Sequence, residues 1–101
     1  MRRRAVDNLT LERWRALDVL GVLEKLGCYM KVDSTYEPVS ARDTQRYHVS
    51  VNGCDFELLV RGPKFYDTRL GRGGGGAVDL AMHLHSLDFK DATGLLRSLG
   101  V

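Results

Sequence analysis

Hydrophobic and polar positions change rhythm along this chain, and the changes mark its elements. Over residues 9–26 the apolar side chains fall at helical spacing in two pieces. Trp14 and Leu17 begin one face; Val19, Leu20, Val22, Leu23 and Leu26 form another after Asp18, which reads as an N-cap. Gly27 closes that piece, because glycine takes the left-handed C-cap conformation without steric cost. The period then drops to two: Cys28, Met30 and Val32 alternate with Tyr29, Lys31 and Asp33, as in a strand. A polar loop containing Pro38 follows over 34–43. Two further alternating runs, Tyr47/Val49/Val51 and Cys54/Phe56/Leu58/Val60, flank Asn52-Gly53. That dipeptide accepts positive φ at both central positions of a tight turn, so the pair predicts a β-hairpin. Gly62-Pro63 ends the second strand, and Lys64–Thr68 can form one more.

Beyond a run of glycines, Ala77, Val78, Ala81, Met82 and His85 can line a helix. Asp88 stands as N-cap to a last helix carrying Phe89, Ala92, Leu95, Leu96 and Leu99. The expected fold is therefore α+β: a small antiparallel sheet of three to four strands, flanked by N-terminal and C-terminal helices. Helices cover one sheet face and leave the other free. Residues 8–101 form a single domain, and 1–7 a basic tail.

Composition narrows the function. With 101 residues, 44% hydrophobic and 28% charged, the chain suits one folded domain with a modest core. Net charge is only +2, but it is unevenly spread. Arg2, Arg3, Arg4, Arg13 and Arg15 crowd the start, and Arg61, Lys64, Arg69 and Arg72 crowd 61–72. Such stretches suit a polyanion-binding face, or a solvated surface. Arg2–Arg4 precede Ala5-Val6-Asp7-Asn8, which is not the apolar run of a signal peptide, so a cytoplasmic site is expected. Cys28 and Cys54 suggest buried free thiols rather than a disulfide framework.

Gly71-Arg72-Gly73-Gly74-Gly75-Gly76 formally satisfies the GxGxxG pattern. A dinucleotide fold would also need a βαβ unit, for which the remaining residues leave no room, and no P-loop GK[ST] occurs. A mobile surface loop is the plain alternative. A third reading comes from resemblance. The stretch Lys64–Leu99, with Phe65-Tyr66, the knuckle Gly71–Gly76, Ala77-Val78-Asp79-Leu80 and Leu87-Asp88-Phe89 with Ala92, resembles the N-terminal zinc-binding domain of bacterial replicative primases. "LDVLGVLEKLG" resembles that family's opening helix. The family implies a zinc-ribbon-like fold with a Cys/His pair and a Cys-x-x-Cys knuckle. Here the knuckle cysteines fall on Thr68 and Gly71, and only His48 and Cys54 lie near. Four good ligands are not available. The resemblance thus implies a zinc-free relative, as in primase-like proteins of plasmids and other mobile elements, with no metal and no cofactor. The glycines would occupy the former metal knuckle.

Catalysis is not expected. His83 and His85 point different ways from one helix, Asp79 and His83 at i, i+4 suggest a surface hydrogen bond, and Ser50 and Ser86 lack a base. Nucleic-acid binding has better ingredients. Arg46 and His48 share a strand face, as do Lys64 and Tyr66, while Arg61, Arg69 and Arg72 bracket the glycines. Single strands are bound by basic tracks interleaved with aromatic stacking surfaces. The expectation is a non-catalytic single-stranded DNA-binding module of a primase-like replication or transfer protein. In it Tyr66 stacks a base, Lys64, Arg69 and Arg72 hold phosphates, and Arg2–Arg4 add affinity. Phe65 is expected in the core. The rival expectation is a protein-docking module that recruits a polymerase, helicase or relaxase, with Trp14 as a candidate contact.

Overall fold

The structure is a computed structural model that describes residues 7–38 and 43–101. The Arg2–Arg4 tail lies outside the described residues. Helix α1 (Asn8–Ala16) is capped by Asp7, whose carboxylate accepts the Thr10 N–H at 2.7 Å. Helix α2 (Val19–Leu26) ends at Gly27 with φ 72°, as its left-handed cap requires. Asp18 occupies the N-cap position of α2, but its side chain makes no capping bond.

Five strands follow, β1 (Tyr29–Val32), β2 (Gln45–Val51), β3 (Cys54–Arg61), β4 (Lys64–Asp67) and β5 (Arg72–Gly75). They pair in sequence order as one antiparallel sheet. Asn52 (φ 50°) and Gly53 (φ 82°) make the β2–β3 turn with the positive angles their types allow. Helices α3 (Ala77–His85) and α4 (Phe89–Ser98) close the chain, with Asp88 accepting the Asp91 N–H at 2.8 Å.

The fifth strand corrects the expected count of three to four, and it is built from the glycines expected to form a loop. Gly73 explains why. A Cβ there would sit 2.8 Å from the Phe65 carbonyl oxygen, and one on Gly74 would sit 3.1 Å from the Phe65 ring and the Asp79 carboxylate. The backbone is thus drawn closer to β4 and α3 than a side chain permits, so glycine here serves close approach rather than mobility. Left-handed residues, Gly71 (φ 67°) and Gly76 (φ 91°), punctuate its two ends.

Register sorts the side chains. Val49, Val51, Leu58, Val60, Phe65 and Asp67 share one face and are buried against the helices, together with Val19, Val22, Leu23, Leu80, Ala81, Leu84 and Leu96. Each such fully buried aliphatic side chain contributes about 1.5–3 kcal/mol. On α3 the inward residues are Ala77, Leu80, Ala81 and Leu84, a stripe rotated from the one expected; Val78 and Met82 are half-buried at its edge. Trp14 is 1% exposed, and its indole N–H donates to the Val101 carbonyl at 3.1 Å, tying first helix to last residue. It is core rather than a partner contact. Among the described residues, no helix packs on the opposite sheet face, as the alternation implied. Cys54 stands exposed beside the turn and Cys28 is half-buried, so neither thiol is the buried one expected. Among the described residues, no helix is long and apolar enough to cross a membrane.

Candidate nucleic-acid interface

The open face reads across the strands in rows. One row is Arg46–Leu59–Tyr66–Gly73, the next Arg61–Lys64–Gly75, and on the other side Lys31–His48–Glu57. Tyr66 is 46% exposed. Its Cδ1 lies 3.1 Å from where a Gly73 Cβ would stand, and its hydroxyl 3.8 Å from that of Gly71. The ring therefore spreads over bare glycine backbone, with one side on β5 and the other toward solvent. Any side chain at position 73 would lift or cover it. Lys64 projects two residues away on the same face, and Arg61 stands opposite Lys64.

The seven residues expected to bind nucleic acid do not converge as one set. Arg61, Lys64 and Tyr66 form a corner cluster, with Arg61 Nε 2.9 Å from the exposed Asp43 carboxylate. Arg46 and His48 do share the open face, but Arg46 is committed. Its Nε and Nη2 donate to Asp33 Oδ2 at 2.9 and 2.7 Å, and its guanidinium lies 5.1 Å from the Tyr36 ring centre. His48 Nε2 is 3.4 Å from the same oxygen. Asp33 also accepts the Thr35 hydroxyl at 2.6 Å and backbone N–H at 3.0 Å. The Thr35 hydroxyl, Arg46 and the Thr35 N–H together hold its carboxyl well below the usual carboxylate range. Arg69 swings toward the acidic end of the face, donating to the Asp55 carbonyl at 3.4 Å. Arg72 is the clear departure: opposite Asp67 in register, it stands on the helix side of the sheet. Strand alternation sends it there once 72–75 is a strand rather than a loop.

Sequence reasoning missed a buried pair at the far end of β4 from this corner. Asp67, 1% exposed, accepts N–H bonds from Arg69 (2.9 Å) and Leu70 (3.0 Å) through Oδ1, and Oδ2 meets His83 Nε2 at 2.6 Å. Phe56 and Phe65 enclose the His83 ring, with centroids 5.6 and 5.5 Å away. Burial alone would raise the Asp67 carboxyl, but the Leu70 N–H, His83 and the Arg69 N–H outweigh it and hold the group below its ordinary value. His83 thus pairs with Asp67 and not with Asp79, which instead accepts the Gly75 N–H at 3.2 Å. The sequence signal was present, an Asp ending an alternating run just before a turn, but its partner lies 16 residues away on α3. The pair pins the Thr68–Gly71 turn, where the Gly71 N–H donates to the Asp67 carbonyl at 2.8 Å, onto α3. Among the described residues, no three His, Cys, Asp or Glu side chains gather as metal ligands.

Comparison with known proteins adds little to this geometry. No protein-family model matches the chain, and no solved structure matches it. A protein of Zymomonas mobilis described as "65 kDa protein" is 32% identical over 94 residues, covering 88% of this chain and 14% of that protein. The chain thus spans about one-seventh of the length of the curated relative it matches.

Proposed function

We propose that this chain is a non-catalytic single-stranded DNA-binding module, of the kind used by primase-like replication or transfer proteins of mobile elements. The observation that carries it is the Tyr66 ring, laid over side-chain-free Gly73 with its outer side open and Lys64 and Arg61 beside it. A base stacks on such a ring whatever its sequence, and neighbouring cations hold the flanking phosphates. The zinc-free primase reading is supported at Thr68–Gly71. Where the resemblance implies knuckle thiolates, the Asp67 carboxylate gathers two backbone N–H groups and His83 ties the turn to α3. The docking alternative loses Trp14, which is core.

Fluorescence anisotropy with a labelled single strand and its matched duplex tests the proposal. The single strand should bind more tightly, with log K falling about 0.7 per neutralised phosphate as log salt rises. Tyr66→Ala should weaken single-strand binding by roughly tenfold, within the ~1–3 kcal/mol of one base–aromatic stack. Equal affinity of Tyr66→Ala and the parent protein would sink this surface.

A further inference from the structure

Behind β5 lies a cleft of about 380 Å³ between that strand and α3, lined by Phe65, Arg72, Asp79, Met82, His83 and Leu87. Its chemistry is divided. Arg72 reaches it from the helix side of β5 and Asp79 from the first turn of α3. The Asp79 carboxylate packs directly on the Gly74 backbone, its Oδ2 3.1 Å from where a Cβ would stand, which holds it at the β5 wall of the cleft. A guanidinium and a carboxylate thus stand over the same short strand, with apolar walls from Phe65, Met82 and Leu87. Asp79 Oδ2 accepts the Gly75 N–H at 3.2 Å.

Resting on the strand-binding reading above, we infer that this cleft is a base pocket selective for guanine. Guanine alone among the DNA bases matches both groups at once. Its N1–H and exocyclic amine donate to a carboxylate, and its O6 and N7 accept from a guanidinium. Adenine and cytosine offer an amine donor, but neither presents this double pair, and thymine lacks the amine. The cleft falls in the size range of small-ligand sites, about 300–1,000 Å³. Access follows from the glycines. Gly73 lies under Tyr66 on the open face and also borders the cleft, so β5 is a bare rim between the two. A strand stacking one base on Tyr66 crosses this rim and turns a neighbouring base into the cleft. Arg72, which strand alternation takes away from Tyr66, regains a role there.

The test is anisotropy with a short oligo(dT) strand and three relatives carrying one central dG, dA or dC. The dG strand should bind about tenfold more tightly than the others, the discrimination of one good bidentate pair. Arg72→Ala and Asp79→Asn should each erase that preference, the dG strand falling to the affinity that the same variant shows for oligo(dT). Arg72 is exposed, and Asn at position 79 keeps an oxygen for the Gly75 N–H, so circular dichroism should show both variants folded. Tyr66→Ala should weaken all four strands together. Equal affinity for the four strands, or a dG preference that survives both substitutions, overturns the pocket and leaves strand binding standing. Failure of every strand to bind overturns both readings. Saturable binding of free dGMP without any dG-strand preference makes a loose nucleotide the occupant and overturns the crossing.

Discussion

Asp67 is one of two buried polar residues among those described, and it anchors a turn to a helix. Four groups meet on it: two turn N–H groups and His83 on the carboxylate, and the Gly71 N–H on its backbone carbonyl. Removing one member of a buried hydrogen-bonded pair leaves the others unpaired without water to replace it. Asp67→Ala should therefore cost about 3 kcal/mol in urea unfolding, near the lower end for breaking a buried pair. Ser50→Ala, which removes only an exposed hydroxyl bond to Asp55, should cost well under about 1 kcal/mol in the same assay. A comparable loss in both would mean that Asp67 is no anchor. The residue types could be read from the chain; the convergence could not, because His83 arrives from another element.

The glycine strand is the element on which the candidate interface depends. Its four residues differ sharply in what surrounds them. Position 73 is closed by the Phe65 carbonyl at 2.8 Å, a backbone atom that cannot swing away, whereas position 75 meets only Lys64 Cγ at 4.0 Å. Gly73→Ala should destabilise the fold by more than about 1 kcal/mol, the scale at which overpacking is felt. Gly75→Ala should change stability little, since alanine also restricts the unfolded chain. Thermal melts of the two variants give the comparison. Equal effects would contradict the close approach of β5 to β4. A repeat of one residue type conceals such differences, because what sets them is the neighbour each position meets across the sheet.

Across the whole molecule, charge is arranged rather than accumulated. The open face is cationic around Arg61 and Lys64 and acidic around Asp55 and Glu57, so a net charge of +2 is compatible with a local phosphate-binding corner. The same carboxylates set the pH response. Asp7, Asp33 and Asp67 are all held below the ordinary 3.8 by bonds that exist only in the folded chain. A depressed folded value means that stability is fully present above the unfolded value and is lost as pH falls through the folded one. The urea midpoint should therefore hold steady from pH 7 to about 5 and decline below about 4. Asp67→Asn should flatten that decline by removing the buried contributor. An unchanged acid profile in Asp67→Asn would show that the pair does not titrate with folding.

Local rules determined much of this protein from its sequence alone. Alternation located β1 to β4 and the free sheet face, Asn52-Gly53 set the hairpin, and Gly27 and Asp88 marked helix ends, because each acts through its own backbone or its immediate neighbours. The same alternation put Lys64 beside Tyr66 and sent Phe65 inward. Tertiary structure alone decided the rest. It made the glycines a fifth strand, since their use is the room they leave to Phe65, Tyr66 and Asp79. It buried Trp14 under the chain's last carbonyl, bound Arg46 to Asp33, paired His83 with Asp67, and turned Arg72 toward α3. Each of these depends on a partner far along the chain or on another element, whose approach is set by packing of the whole domain and leaves no periodic trace in the residues themselves.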